Sequence, residues 1–267
     1  MKKMYKLYAG LISLLFCIVS NAFATGELNS RFDNYTIREG LSNNIVQCVT
    51  QDSYGYIWVG TSQGLNRFDG YGFTTFRSLE YAKKRVKGVL IRCIFEDSKK
   101  QLWIGTENGG LYKFNRDGET FKYIELMNDV DGRYSANTIV EDKSGNIWVG
   151  TDEGLAFLNK ADELEYHHFK SDDFSGLVML KKCCIDSLNR MWIGTGEDGV
   201  FLFDVDDDNI TKVKFEGLDK DEEVRAIYHS KDNILWIGTY ESGVFTLDTR
   251  KSTNTTAKQF SDLPTSG

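Results

Sequence analysis

Five tryptophans recur at near-constant intervals, each inside the same short motif, and the segments between them break into short alternating runs bounded by Gly and Asp turns. Together these features predict an all-β protein, a β-propeller of about five four-stranded blades. The tryptophans are Trp58, Trp103, Trp148, Trp192 and Trp236, at spacings of 45, 45, 44 and 44 residues. Each is followed by Val or Ile, then Gly, then Thr. Six residues before it stands Asp52, Asp97, Asp142 or Asp186, with Ser230 in the fifth copy.

The first copy shows how a unit decodes. Ile45–Gln51 is apolar with polar interruptions and forms the innermost strand. A tight Asp/Ser/Gly turn leads to the second strand, Tyr56–Thr61, and a short Gly turn leads to the third, Gly64–Phe68. Asp69-Gly70 signals a hairpin into the fourth strand, Phe73–Phe76. Matching outer strands are expected at Phe121–Ile124, Tyr166–Phe169, Thr211–Phe215 and Ala257–Phe260. The blades then run over 41–79, 86–125, 134–170, 177–216 and 222–260.

One blade cannot bury both of its faces, so neighbours must stack. The tryptophans are expected in the seams between blades. The repeated Gly is expected where the next blade approaches closely. Phe32–Tyr35, in a lead segment at 25–40, resembles an outer strand with no blade to finish. Residues 261–267 resemble a link into a further blade. An open arc is therefore expected, with a strained five-blade closure as the alternative.

The first 24 residues carry Lys2, Lys3 and Lys6, an apolar run from Leu7 to Val19, and the small-x-small site Ala22-Phe23-Ala24. This pattern predicts an export signal cut after Ala24. The run is shorter than a membrane-spanning helix requires. Phe16 before Cys17 argues against lipidation. After cleavage, a periplasmic chain that no longer touches the membrane is expected.

The remainder has 29 basic against 39 acidic residues, a charge of −10. An acidic chain lacks the basic footprint that nucleic acid or an anionic membrane surface needs. Cys48, Cys93, Cys183 and Cys184 form no disulfide framework, and small side chains on strands are expected there. With His167, His168 and His229 they supply no zinc set, and no cofactor is expected. Asp204, Asp206 and Asp208 begin like a calcium loop, but Asn209 and Phe215 stand where Gly and Glu would be needed.

Eleven residues before each Trp stand Gln47, Arg92, Asn137, Lys181 and Arg225, always after an apolar residue. A polar ring near a central channel could hydrogen-bond a sugar or another small polar ligand; hydration of a wet channel is the alternative. The longer connections Arg77–Val89, Glu125–Ala136, Lys170–Gly176 and Glu216–Glu222 are expected on one rim, where binding loops gather. Within them Arg133 offers a donor fork and Tyr134 a stacking platform. No catalytic pair of carboxylates stands out from the repeat.

The run D-x-x-G-x-I-W-V-G-T-x-x-G-L-x-x-F, from Asp52 to Phe68, resembles the two-component regulator propeller repeat. The stretch Gly40–Phe73 resembles the start of the sensor region of Bacteroidetes hybrid two-component systems. The resemblance covers residues 32–267. It implies a periplasmic part built from seven-bladed propellers that responds to glycan fragments and switches on genes for glycan use. It allows a homodimer of the full-length protein. The kinase, receiver and DNA-binding parts of such systems are absent here. Streptogramin lyases have similar repeats but rely on a histidine base and a metal; His229 is the residue to test in that alternative. A third reading is an orphan interaction propeller. Sialidase Asp-boxes are also similar, but set Asp five rather than six residues before Trp.

Overall fold

The computed structural model describes residues 32–76, 78–81, 84–87, 89–124, 126, 135–158, 163–167, 178–218, 221–250 and 256–260. Residues 1–31, on which the expected export signal falls, and residues 261–267 lie outside the described residues. The described elements are all strands, arranged as five successive blade sheets, antiparallel but for one short parallel pair, and a separate two-stranded sheet.

Blade one comprises Val46–Gln51, Ile57–Thr61, Gly64–Phe68 and Phe73–Phe76. Blade two comprises Ile91–Glu96, Leu102–Thr106, Leu111–Asn115 and Thr120–Ile124. Blade three comprises Ala136–Glu141, Ile147–Thr151, Gly154–Leu158 and Leu164–Tyr166. Blade four comprises Leu180–Ile185, Arg190–Thr195, Val200–Asp204 and Asn209–Lys212. Blade five comprises Val224–His229, Ile234–Thr239, Val244–Asp248 and Thr256–Gln259. The end blades keep their outer faces uncovered, with Val46 and Val49 of blade one and Tyr228 of blade five exposed, so the blades form an open arc.

Four expectations are corrected. Phe32–Tyr35 carries no strand; Asp33 and Asn34 are poor strand formers. Within the expected loop Arg77–Val89, Ser78–Tyr81 pairs with Lys84–Lys87 as a separate hairpin. The outer strand of blade three lies at Leu164–Tyr166, two residues earlier than expected, and 168–169 lie outside the described residues. The run Thr211–Phe215 is not one strand. It breaks at Val213, and Lys214–Phe215 crosses to pair in parallel with Thr256–Gln259 of blade five. Burial explains the crossing: Phe215 meets Phe245 of blade five edge-on at 5.0 Å.

Thr36–Asn44 ties down on blade one. The backbone N–H of Ser42 donates to Asn66 Oδ1 at 2.8 Å, and Thr75 Oγ1 donates to the Gly40 carbonyl.

Four of the five tryptophans lie in the seams. Trp58 packs with Ile91, Ile104 and Phe114 of blade two. Trp103 faces Ala136, Ile147 and Val149 of blade three, Trp148 faces Ile193 and Phe203 of blade four, and Trp192 faces Val224, Leu235 and Ile237 of blade five. All four are buried. Each contributes about 1.5–3 kcal/mol by leaving water.

Four of the five motif glycines sit where a side chain would collide. A Cβ at Gly60 would lie 2.6 Å from Ile91 Cγ2 of the next blade and 2.5 Å from Cys48 Sγ on its own inner strand. At Gly105 it would meet the Ala136 carbonyl at 2.6 Å, at Gly150 Leu180 Cβ at 3.1 Å, and at Gly194 Val224 Cγ1 at 2.5 Å. The absence of a side chain thus sets how near the next inner strand can come.

The motif Asp locks the turn to the indole. Asp52 Oδ1 accepts from the backbone N–H groups of Tyr54 and Tyr56, and Oδ2 accepts from Trp58 Nε1 at 2.8 Å. Asp97, Asp142 and Asp186 repeat this, with indole bonds of 2.9, 2.9 and 3.0 Å. Burial works to raise the Asp52 carboxyl, but the indole, Arg116 and the Tyr56 N–H outweigh it and hold the carboxyl below its ordinary value. At Asp186 burial is likewise outweighed, there by Arg190, Trp192 and the Leu188 N–H. Each donor to a buried charge is worth about 1.5–3 kcal/mol.

Candidate functional site

The inner strands share one irregularity. Val46 pairs with Thr61 and Cys48 with Gly60, so Gln47 is skipped in the ladder. The same shift skips Arg92, Asn137, Lys181 and Arg225 in the other four blades. A bulge re-aims the extra residue's side chain and locally disrupts pairing. All five residues line one cavity of about 280 Å³ at the centre of the arc, together with Glu107, Asn108, Ser135, Asp152 and Lys182.

In four of the five blades the bulge residue reaches the residue four beyond the Trp of its own blade. Gln47 Nε2 donates to Ser62 Oγ at 3.2 Å, Arg92 Nη2 to Glu107 Oε1 at 2.8 Å, and Asn137 Nδ2 to Asp152 Oδ1 at 2.8 Å. The Arg225 guanidinium lies over the Tyr240 ring, 4.5 Å from its centre. In blade four the corresponding residue is Gly196, and Lys181 Nζ stands 3.7 Å from Glu223 Oε1 instead. Glu223 also takes Arg225 at 3.2 Å. The Nε of Arg92 is buried and makes no hydrogen bond. A buried donor in this state calls for an acceptor.

The structure therefore brings together five of the seven residues singled out from the sequence. Arg133 and Tyr134 lie outside the described residues. Sequence reasoning missed the partner set Ser62, Glu107, Asp152 and Tyr240, together with Glu223. A signal existed: each member of the set stands four residues after a motif Trp, fifteen after its bulge partner.

Other chemistry-bearing groups lie elsewhere. His229 ends its inner strand opposite Leu235, away from the bulge at Val224–Ala226, and its Nε2 bonds Thr249 Oγ1 at 2.9 Å. His167 sits between the Trp148 and Phe203 rings, with Nε2 2.9 Å from Asp208 Oδ1. His168 lies outside the described residues. Asp204 Oδ1 accepts from the N–H groups of Asp206 and Asp207, so it caps its own turn. Among the described residues no group of three or more His, Cys, Asp or Glu is placed to hold a metal ion. The four cysteines Cys48, Cys93, Cys183 and Cys184 are free thiols on inner strands. Burial pushes Cys48 up to about 11 and Cys184 up to about 12, and raises Cys93 and Cys183 as well. They stay protonated, and are poor nucleophiles, at neutral pH.

Residues 40–63, 86–108, 130–153 and 219–241 match the two component regulator propeller family. A histidine kinase P4 of Formosa agariphila is 37% identical over 65 residues, which is 24% of this chain and 5% of that protein. The extracellular domain of a putative hybrid two component system from B. thetaiotaomicron is similar in structure, with a TM-score of 0.68 at 21% identity over 88% of this chain. The present chain spans 34% of that domain. A virginiamycin B lyase from Staphylococcus aureus, solved with quinupristin, has a TM-score of 0.65 at 16% identity, covering 85% of this chain and 73% of that one. These structural likenesses carry the fold.

Proposed function

The chain carries two-component regulator propeller repeats, and from this premise we propose that it is an exported ligand-sensing segment of such a regulator. It binds a glycan fragment in the central cavity. The export signal is cut after Ala24, and the chain works in the periplasm. Binding changes propeller or dimer geometry, and the output, transcription of glycan-use genes, belongs to parts beyond these blades. The observation that carries this reading is the fivefold bulge. It turns Gln47, Arg92, Asn137, Lys181 and Arg225 toward one cavity, where amide, guanidinium and ammonium donors converge with carboxylate acceptors. Sugars are recognised by such alternating donors and acceptors. Arg133 and Tyr134 are further candidates for the rim.

Calorimetry of the mature chain against an oligosaccharide panel tests it. Binding of one member is expected, weakened tenfold or more by Arg92→Ala. Silence across the panel would refute sugar sensing. The second reading, a lyase, draws on the likeness to the virginiamycin B lyase fold. It is disfavoured by the placement of His167 and His229 outside the cavity lining. Turnover of quinupristin that disappears in His229→Ala would reverse that ranking.

A further inference from the structure

The ring is regular in four blades and broken in one. In blades one, two, three and five the bulge residue is engaged by the side chain fifteen residues on. In blade four that place is Gly196. A Cβ there would stand 3.3 Å from Lys181 Cε and 3.7 Å from Met179 Sδ. Beside it opens a second cavity of about 490 Å³, which shares Asp152, Met179 and Lys181 with the central one. Glu197, Asp198 and Glu223 complete its polar wall, and Val178 with Met179 its apolar one.

We infer that this notch at Gly196 is the subsite that selects the ligand, and that it takes an uncharged sugar unit. The inference rests on the glycan-sensing reading above. The missing side chain has two effects: it makes room, and it leaves the Lys181 ammonium without the close partner its counterparts have. Lys181 then donates to a ring or hydroxyl oxygen. The carboxylates of Asp152, Glu197, Asp198 and Glu223 can only accept, so they require a ligand rich in hydroxyl donors. Four carboxylates against one ammonium repel a uronate or a sulfated sugar, and this repulsion is itself a source of selectivity. The exposed Met179 thioether offers the apolar surface on which the C–H face of a pyranose can rest.

The test uses the mature chain with neutral gluco-, manno- and xylo-configured tetrasaccharides and with the corresponding uronate tetrasaccharides. One neutral probe is expected to bind at least tenfold more tightly than any uronate. Gly196→Glu rebuilds the pair seen between Arg92 and Glu107. The atom nearest the new Cβ is the flexible end of Lys181, so the fold should accept it. It should cut neutral-sugar affinity tenfold or more while the thermal midpoint holds or rises. Gly196→Gln, which fills the same space without charge, should also weaken binding and serves if Gly196→Glu fails to fold. Unchanged affinity in both variants would overturn the notch while leaving sugar sensing intact. Tighter binding of a uronate would overturn the charge assignment. Failure of every sugar, neutral or charged, would bring down the sensing reading and this inference with it.

Discussion

Trp192 and Trp236 hold the same place in consecutive repeats and live in different surroundings. Trp192 is 1% exposed, donates to Asp186, and has blade five against its face. Trp236 is half-buried, stands in the repeat where Ser230 replaces Asp, and packs on Phe260 of its own blade at 5.0 Å. The glycines differ in the same way. A Cβ at Gly194 would strike Val224 Cγ1 at 2.5 Å, whereas at Gly238 the nearest atom is Ala226 Cβ of the same blade at 3.4 Å. The motif residues thus take their energetic weight from the blade that follows them. The same letters in the sequence are expensive to change in one blade and cheap in the next.

The largest contrast is expected at the indoles. Trp192→Ala should cost about 3–5 kcal/mol, the range for emptying a buried aromatic site. Trp236→Ala should cost less than half as much, as urea melts of the two variants would reveal. Equal losses would mean the last blade is as fully packed as the fourth. Next come the turn carboxylates. Asp186→Ala should cost about 1.5–3 kcal/mol by stranding Trp192 Nε1 and Arg190. Ser230→Ala, which loses one bond of 3.2 Å to the Ile234 N–H, should cost about 1 kcal/mol or less.

The carboxylates also set the acid limit. The Asp52 and Asp186 carboxyls are held below their ordinary value of 3.8 in the folded chain. Their stabilisation is therefore complete above that value and disappears as pH falls through the lower folded values. Melting midpoints followed from pH 6 downward should drop steeply only below about pH 4, and less steeply in Asp186→Ala. The glycines give a smaller effect. Gly194→Ala should cost about 1–3 kcal/mol through overpacking, and Gly238→Ala should be close to neutral. The smallest effect is a gain: Ser230→Asp restores the indole acceptor and should add about 0.5–1.5 kcal/mol. No gain would place Trp236 Nε1 beyond the reach of a carboxylate at 230.

Much of this was legible in the residues. The Trp spacing located every blade, because a seam must be filled once per repeat. The apolar-then-polar pair at Val46-Gln47 and its equivalents located the inner ring. Periodicity could not show why those side chains turn inward. That depends on a register slip between Val46 and Cys48, which leaves no mark in composition. The role of the motif Asp was likewise hidden, since an Asp opening a tight turn is expected with or without an indole to bind. The break at Val213 escaped because Thr211–Phe215 has the alternation of one continuous strand, and only the neighbouring blade decides where its last two residues pair. The notch at Gly196 was visible as a glycine, but its meaning needed the four filled positions for contrast.

The crossing of Lys214–Phe215 onto the rim of blade five changes how the end of the arc comes apart. Stacked repeats linked only by their faces can fray one at a time. Here the strand that leaves blade four is hydrogen-bonded into the edge of its successor, so the last blade cannot peel away without also releasing that strand. Amide hydrogens of the two should exchange with a common opening free energy, and the terminal pair should behave as one cooperative unit, not as two.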